Sequence, residues 1–110
     1  MQGSLYELQE LLEEFVAQRG WQKYHRPKNL AMSVAIEAAE LMEHFQWCDK
    51  EPEELSRKER EEIAEEMADV LHYLLRLASV LDIDLYRASK AKIAKNHKRF
   101  PIASSKKRGC

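Results

Sequence analysis

The chain has only two cysteines in 110 residues, Cys48 and Cys110, and they form no pair with metal-type or redox-type spacing. A disulfide framework and a cysteine-ligated metal site are thereby set aside, and a reduced, intracellular, cytoplasmic protein is the expectation. Glycine and proline number three each, too few for a turn-rich β fold or a low-complexity chain. No run of 18 apolar residues occurs, so no membrane span is expected. Strand-like alternation, internal repeats and a second domain are also missing. The first residues, MQGSLYELQELLEEF, are acidic and periodic rather than basic and apolar, and do not read as a secretory signal.

What is present is a chain 34% charged and 45% apolar, the balance of a helical globular domain. Its length suits one domain that can bury a core without staples. Ser4-Leu5-Tyr6-Glu7 reads as a capping box opening a first helix, with Leu5, Leu8, Leu11, Leu12 and Phe15 on its apolar face and Gly20 as its left-handed stop. A connector of aromatic and basic residues, Trp21 to Lys28, follows. Pro27 disfavours helix at Arg26, and Asn29 is the expected cap of helix 2. Ser56-Arg57-Lys58-Glu59 is a second capping box, and helix 3 runs from it to about Leu81. Ile63, Met67, Val70, Leu74, Leu77 and Leu81 form a seam of alternating fours and threes on that helix. Asp84 caps a fourth helix that ends before Phe100-Pro101. The expected fold is all-α, a compact four-helix bundle that oligomerises.

Helix 2, NLAMSVAIEAAELMEHFQW, is apolar almost all round and therefore expected to be buried. Ser33, Glu37, Glu40 and His44 form a narrow polar stripe. Ionised carboxylates in such a place must be paired, protonated or bound to a metal. A second acidic pair, Glu66 and Asp69, shares one flank of helix 3 with Tyr73. If helices 2 and 3 pack antiparallel, four carboxylates converge. Oxygen donors without His or Cys suit Mg²⁺ or Mn²⁺ rather than Zn²⁺. The charge is asymmetric too. Met1–Asp69 holds 17 acids and 8 bases, a net of −9, whereas the stretch from Tyr86 onward holds 9 bases and no acid. That basic segment is either a solvated face, a partner for the acidic helices, or a cradle for an anionic ligand.

Glu37-x-x-Glu40, 25 residues, then Glu66-x-x-Asp69 resembles the MazG-type nucleotide pyrophosphohydrolases of the all-α superfamily, and within them the dCTP pyrophosphatase branch. The flanking text resembles it as well: Trp21-x-x-x-His25-x-Pro27-x-Asn29-Leu30, Phe45-Gln46-Trp47, Glu65-Glu66-x-x-Asp69-Val70-Leu71-x-Tyr73-Leu74, and Lys92-x-x-x-Asn96-x-x-Arg99-Phe100-Pro101. The likeness covers Leu5 to Pro101. It implies a domain over residues 1–102, with 103–110 as a disordered basic tail. It also implies Mg²⁺-dependent cleavage of a dNTP, dCTP or a modified dCTP, to the monophosphate and pyrophosphate, in a nucleotide-pool house-cleaning role. Mn²⁺ is a possible substitute. By the resemblance Glu37, Glu40, Glu66 and Asp69 hold the metal and carry catalysis. Trp21, His25 and Trp47 fall near the base, Tyr73, Lys92 and Asn96 touch phosphate or sugar, and Asn29 is a further substrate-binding residue. Leu12 stands where some relatives carry a polar, ring-bearing residue. The family-like assembly is a tetramer built from two dimers, with no membrane partner and no dedicated nucleic-acid partner.

Two other classes compete. A di-iron carboxylate bundle wants Glu-x-x-His on two helices; this chain has none, and Asp69-x-x-His72 is only a near miss. A non-catalytic helical oligomerisation or interaction module accounts for the seam on helix 3 but leaves the carboxylates of helix 2 unexplained.

Overall fold

A computed structural model describes residues 3–102; the tail expected over 103–110 lies outside the described residues. Four helices follow one another: α1 (Leu5–Gln18), α2 (Pro27–Gln46), α3 (Arg57–Val80) and α4 (Leu85–Arg99). Single 3-10 turns at Gln22–Tyr24 and Pro52–Glu54 interrupt the first two connectors. No strand occurs among the described residues, so the chain is all-α.

The helix starts follow from side chains that satisfy orphan backbone donors. The Ser4 hydroxyl accepts from the Glu7 N–H at 3.1 Å. Ser56 and Glu59 form the reciprocal capping box, each bond 3.1 Å. Asp84 accepts from the Arg87 N–H at 3.0 Å. Helix α2 departs from expectation: Pro27 is its first residue and Arg26, in extended backbone, its cap. Proline lacks an N–H and is preset for the first helical position, so α2 begins two residues before Asn29. The Asn29 amide instead donates back to the Tyr24 carbonyl at 3.2 Å, bracing the connector.

α1 and α3 end alike. Trp21 N–H reaches Val16 O at 3.1 Å, and Ile83 N–H reaches Ala78 O at 2.8 Å. Each bond spans a left-handed residue, Gly20 at φ 64° and Asp82 at φ 55°, the geometry of a Schellman stop.

Packing centres on α3, which lies against both α2 and α1. The buried apolar residues are Val16 of α1, Leu30 of α2, and Leu75 and Ala78 of α3. Three expectations need correction here. Helix α2 is not enclosed: Leu30 is buried, but Met32, Ile36, Met42 and Phe45 are exposed, because α3 covers one side only. On α3 the buried positions are Leu75, Arg76 and Ala78; of the expected seam Met67, Leu74 and Leu81 are exposed, while Ile63, Val70 and Leu77 are half-buried. Nor is the single chain a compact four-helix bundle. Its radius of gyration is 17.4 Å, against about 13 Å for a compact domain near this size. Helix α4 makes only marginal contact with the rest, and Tyr86 to Arg99 are exposed throughout. Six of its residues are Lys or Arg, and packing it flat on the apolar helices would strip water from several of those charges.

Candidate metal and nucleotide site

Glu37 and Glu40 sit one turn apart on α2, and Glu66 faces them from α3. One carboxylate oxygen from each of the three lies within 4.8 Å of the others. Antiparallel packing is what brings them together: Glu37 meets Glu66, while His25, just before α2, meets Arg76 further along α3. Asp69 lies one turn beyond Glu66, outside that group of three, and acts on it through its charge.

The electrostatics show strain between like charges. The Glu37 carboxyl is pushed up from 4.5 to about 7. The first cause is a hydrogen bond shared with the Glu40 carboxyl; burial and the charges of Glu40, Asp69 and Glu66 add to it. Glu66 is raised as well, by burial first and then by Glu40 and Asp69, with His44 opposing. His44, from the polar stripe of α2, thus borders the cluster. Glu66 Oε2 is shut off from solvent and meets no donor from the protein. A buried carboxylate oxygen left without a partner is costly. Together with an all-oxygen donor set, it fits a hard divalent cation, held by Glu37, Glu40 and Glu66 with Asp69 adjacent.

The other expected site residues are placed unevenly. Tyr73 is half-buried on α3, one turn past Asp69. Trp21 packs edge-on to Phe15, ring centroids 5.8 Å apart, and the Arg19 guanidinium lies over the Phe15 ring at 3.5 Å. Trp47 caps α2 and is 85% exposed. Lys92 and Asn96 are exposed on α4, which the chain does not fold over the carboxylates. A groove of about 640 Å³ lies elsewhere, between α1 and the α3–α4 turn, and shares no residue with the cluster.

Residues 32–109 match the MazG-like family. The chain belongs to that family. A curated relative from Rattus norvegicus, dCTP pyrophosphatase 1, is 37% identical over 97% of this chain and 65% of its own length. The Homo sapiens protein of the same name is 40% identical over 89% of this chain and 59% of its own. The MazG-like chain therefore spans somewhat less than two thirds of the curated relatives it matches. Among solved structures, a pyrophosphatase from Archaeoglobus fulgidus is 46% identical, with a TM-score of 0.81 over 92% of this chain and 95% of that one.

One residue escaped the sequence reading of this MazG-like chain. Arg76 is only 7% exposed, and its Nε donates to His25 Nδ1 at 3.2 Å. The available signal was a lone cation inside the apolar run Leu74-Leu75-Arg76-Leu77-Ala78, on the same side of α3 as Asp69 and Tyr73.

Proposed function

We propose that this chain is a Mg²⁺-dependent nucleoside triphosphate pyrophosphohydrolase, releasing pyrophosphate from dCTP or a modified dCTP and leaving the monophosphate. The observation that carries the reading is the cluster of Glu37, Glu40 and Glu66, with a buried carboxylate oxygen that no protein group satisfies. The relatives named dCTP pyrophosphatase 1 and the archaeal pyrophosphatase support the reaction class.

Glu37, Glu40, Glu66 and Asp69 hold the cation, with Mn²⁺ able to replace Mg²⁺. Charge neutralisation of the triphosphate and a more acidic attacking water are what that cation supplies when bound. The carboxylates fix its place, and one of them orients the water for attack at phosphorus, a step that needs alignment and charge balance more than covalent help. Tyr73 stands next along α3 to meet phosphate or sugar. His25 and Trp21 border the base, with Trp47 offering a stacking face worth roughly 1–3 kcal/mol, and Asn29 binds substrate from the connector that it braces. Lys92 supplies a point charge and Asn96 an uncharged donor. Their helix stands away from the carboxylates of its own chain, so they complete the site from a neighbouring subunit of a tetramer made of two dimers. The role is house-cleaning of the cytoplasmic nucleotide pool.

The test is pyrophosphate release from a panel of dNTPs, with Mg²⁺ and with EDTA. Release of pyrophosphate and dCMP only with the metal is expected. Orthophosphate and nucleoside diphosphate as products would place the cleavage at the wrong bond. Inactivity across natural and modified dNTPs would favour an interaction module.

A further inference from the structure

Arg76 is a buried cation with no carboxylate in ion-pair contact among the described residues. A guanidinium in that state is expensive to keep, and the contact it makes is with a neutral acceptor, His25 Nδ1. The imidazole nitrogen that accepts cannot carry the proton, so the bond selects the tautomer with its proton on Nε2. Arg76 is also the charged group acting on His25; with burial as the larger cause, it holds the imidazole below its usual range and so keeps it uncharged. Position matters as well. Asp69, Tyr73 and Arg76 follow at steps of four and three on α3, which puts Arg76 about 10 Å along the axis from Asp69. The connector carrying His25 crosses that helix at the same level, and Asn29 ties it to the start of α2.

We propose that Arg76 is a positioning residue: by donating to His25 Nδ1 it fixes the imidazole as a neutral Nε2–H donor, aimed at a hydrogen-bond acceptor on the nucleotide base. This rests on the nucleotide reading above. A neutral, single-tautomer donor selects bases that present a carbonyl or ring-nitrogen acceptor there, and keeps doing so as the pH falls.

Two measurements test it. Nitrogen NMR of the metal-free full chain should show His25 as the Nε2–H tautomer, titrating below ordinary histidine. In Arg76→Met, which replaces a buried charge by apolar volume, His25 should titrate higher than in the parent, still held down by its burial, and populate both tautomers. KM for dCTP should then rise roughly three- to tenfold, the loss of one hydrogen bond, with kcat little changed. Arg76→Lys, retaining charge and a donor, should recover part of that loss. In a His25→Gln background, Arg76→Met should add nothing further. A purely structural Arg76 would shift the melting temperature and leave tautomer and KM alone. An Nδ1–H tautomer in the parent, or an unchanged KM in Arg76→Met, overturns the proposal. If Arg76→Met does not fold, the tautomer and titration of the parent decide. A parent inactive on every dNTP sinks the functional reading, while the NMR result still judges the pair.

Discussion

Glu40 stands one helical turn from Glu37 and is the first cause of the raised Glu37 carboxyl, so the metal-free chain carries crowded negative charge there. Glu40→Gln keeps the shape and removes one charge. It should abolish or greatly weaken hydrolysis, yet leave the metal-free protein as stable as the parent or about 1 kcal/mol more so. Saturating Mg²⁺ should raise the parent's melting temperature by binding only the folded state, and the mutant should lose most of that rise. A mutant that melts several degrees lower in EDTA and still gains fully from Mg²⁺ would make Glu40 a structural carboxylate. Glu37 predicts a pH dependence. Its folded carboxyl binds a proton more tightly than the unfolded one, so its contribution to stability is complete below about 4.5 and is lost as the pH rises through about 7. In EDTA the melting temperature should fall across that window. Mg²⁺ competes with the same proton, so its affinity should climb over the same range. Calorimetric titrations at pH 5 and 8 that give equal Mg²⁺ affinity would contradict this.

At the scale of elements, two helices end in one motif made with different residues. Gly20 sits at φ 64° with nothing within 4 Å of an added Cβ, so Gly20→Ala meets no neighbour but strains an L side chain in left-handed backbone. A loss of about 1 kcal/mol is expected. Asp82 holds the matching place on α3 at φ 55°, where a side chain is strained. Asp82→Gly should therefore change stability in the opposite direction, by up to about 1 kcal/mol. Urea melts of both variants check the signs; an unchanged midpoint for Gly20→Ala would show that α1 can end otherwise. The start of α3 is secured by Ser56 and Glu59, and Glu59 also receives Lys50 at 3.0 Å. These donors hold the Glu59 carboxyl down at about 2, the Lys50 bond first. Ser56→Ala should cost about 1 kcal/mol, and Lys50→Ala, whose pair is partly exposed, less than that.

For the whole molecule the excess is apolar surface. Ile36 and Met42 on α2 and Met67 on α3 are each more than half exposed, and α4 is unpacked. Closed symmetric assembly is the ordinary way to cover such surface. Light scattering at micromolar concentration should report an oligomer, with a tetramer as the expected form, and Met67→Glu should weaken it. If that variant dissociates to monomers and also loses dNTP hydrolysis, the helix carrying Lys92 and Asn96 serves a neighbour's site. A parent that is monomeric at micromolar concentration overturns the assembly.

Four helices, three of their caps and the pairing of Glu37 and Glu40 with Glu66 were legible in the chain, because capping, periodicity and i, i+3 spacing are local and act within one or two turns. The start of α2 was local too, but two local signals competed there, and Pro27 outweighed Asn29. The remaining features depend on what comes to lie opposite. Only tertiary packing decided which residues of α3 are covered: it leaves Met67 and Leu74 of the seam exposed and buries Leu75 and Ala78 beside it. Packing likewise left α2 half bare and α4 apart, because its lysines and arginines keep their water more cheaply than the helix buries its few apolar side chains. Arg76 belongs to this second kind. Its charge is visible in the sequence, but its burial and its hold on His25 arise only when residues 51 positions apart are brought together.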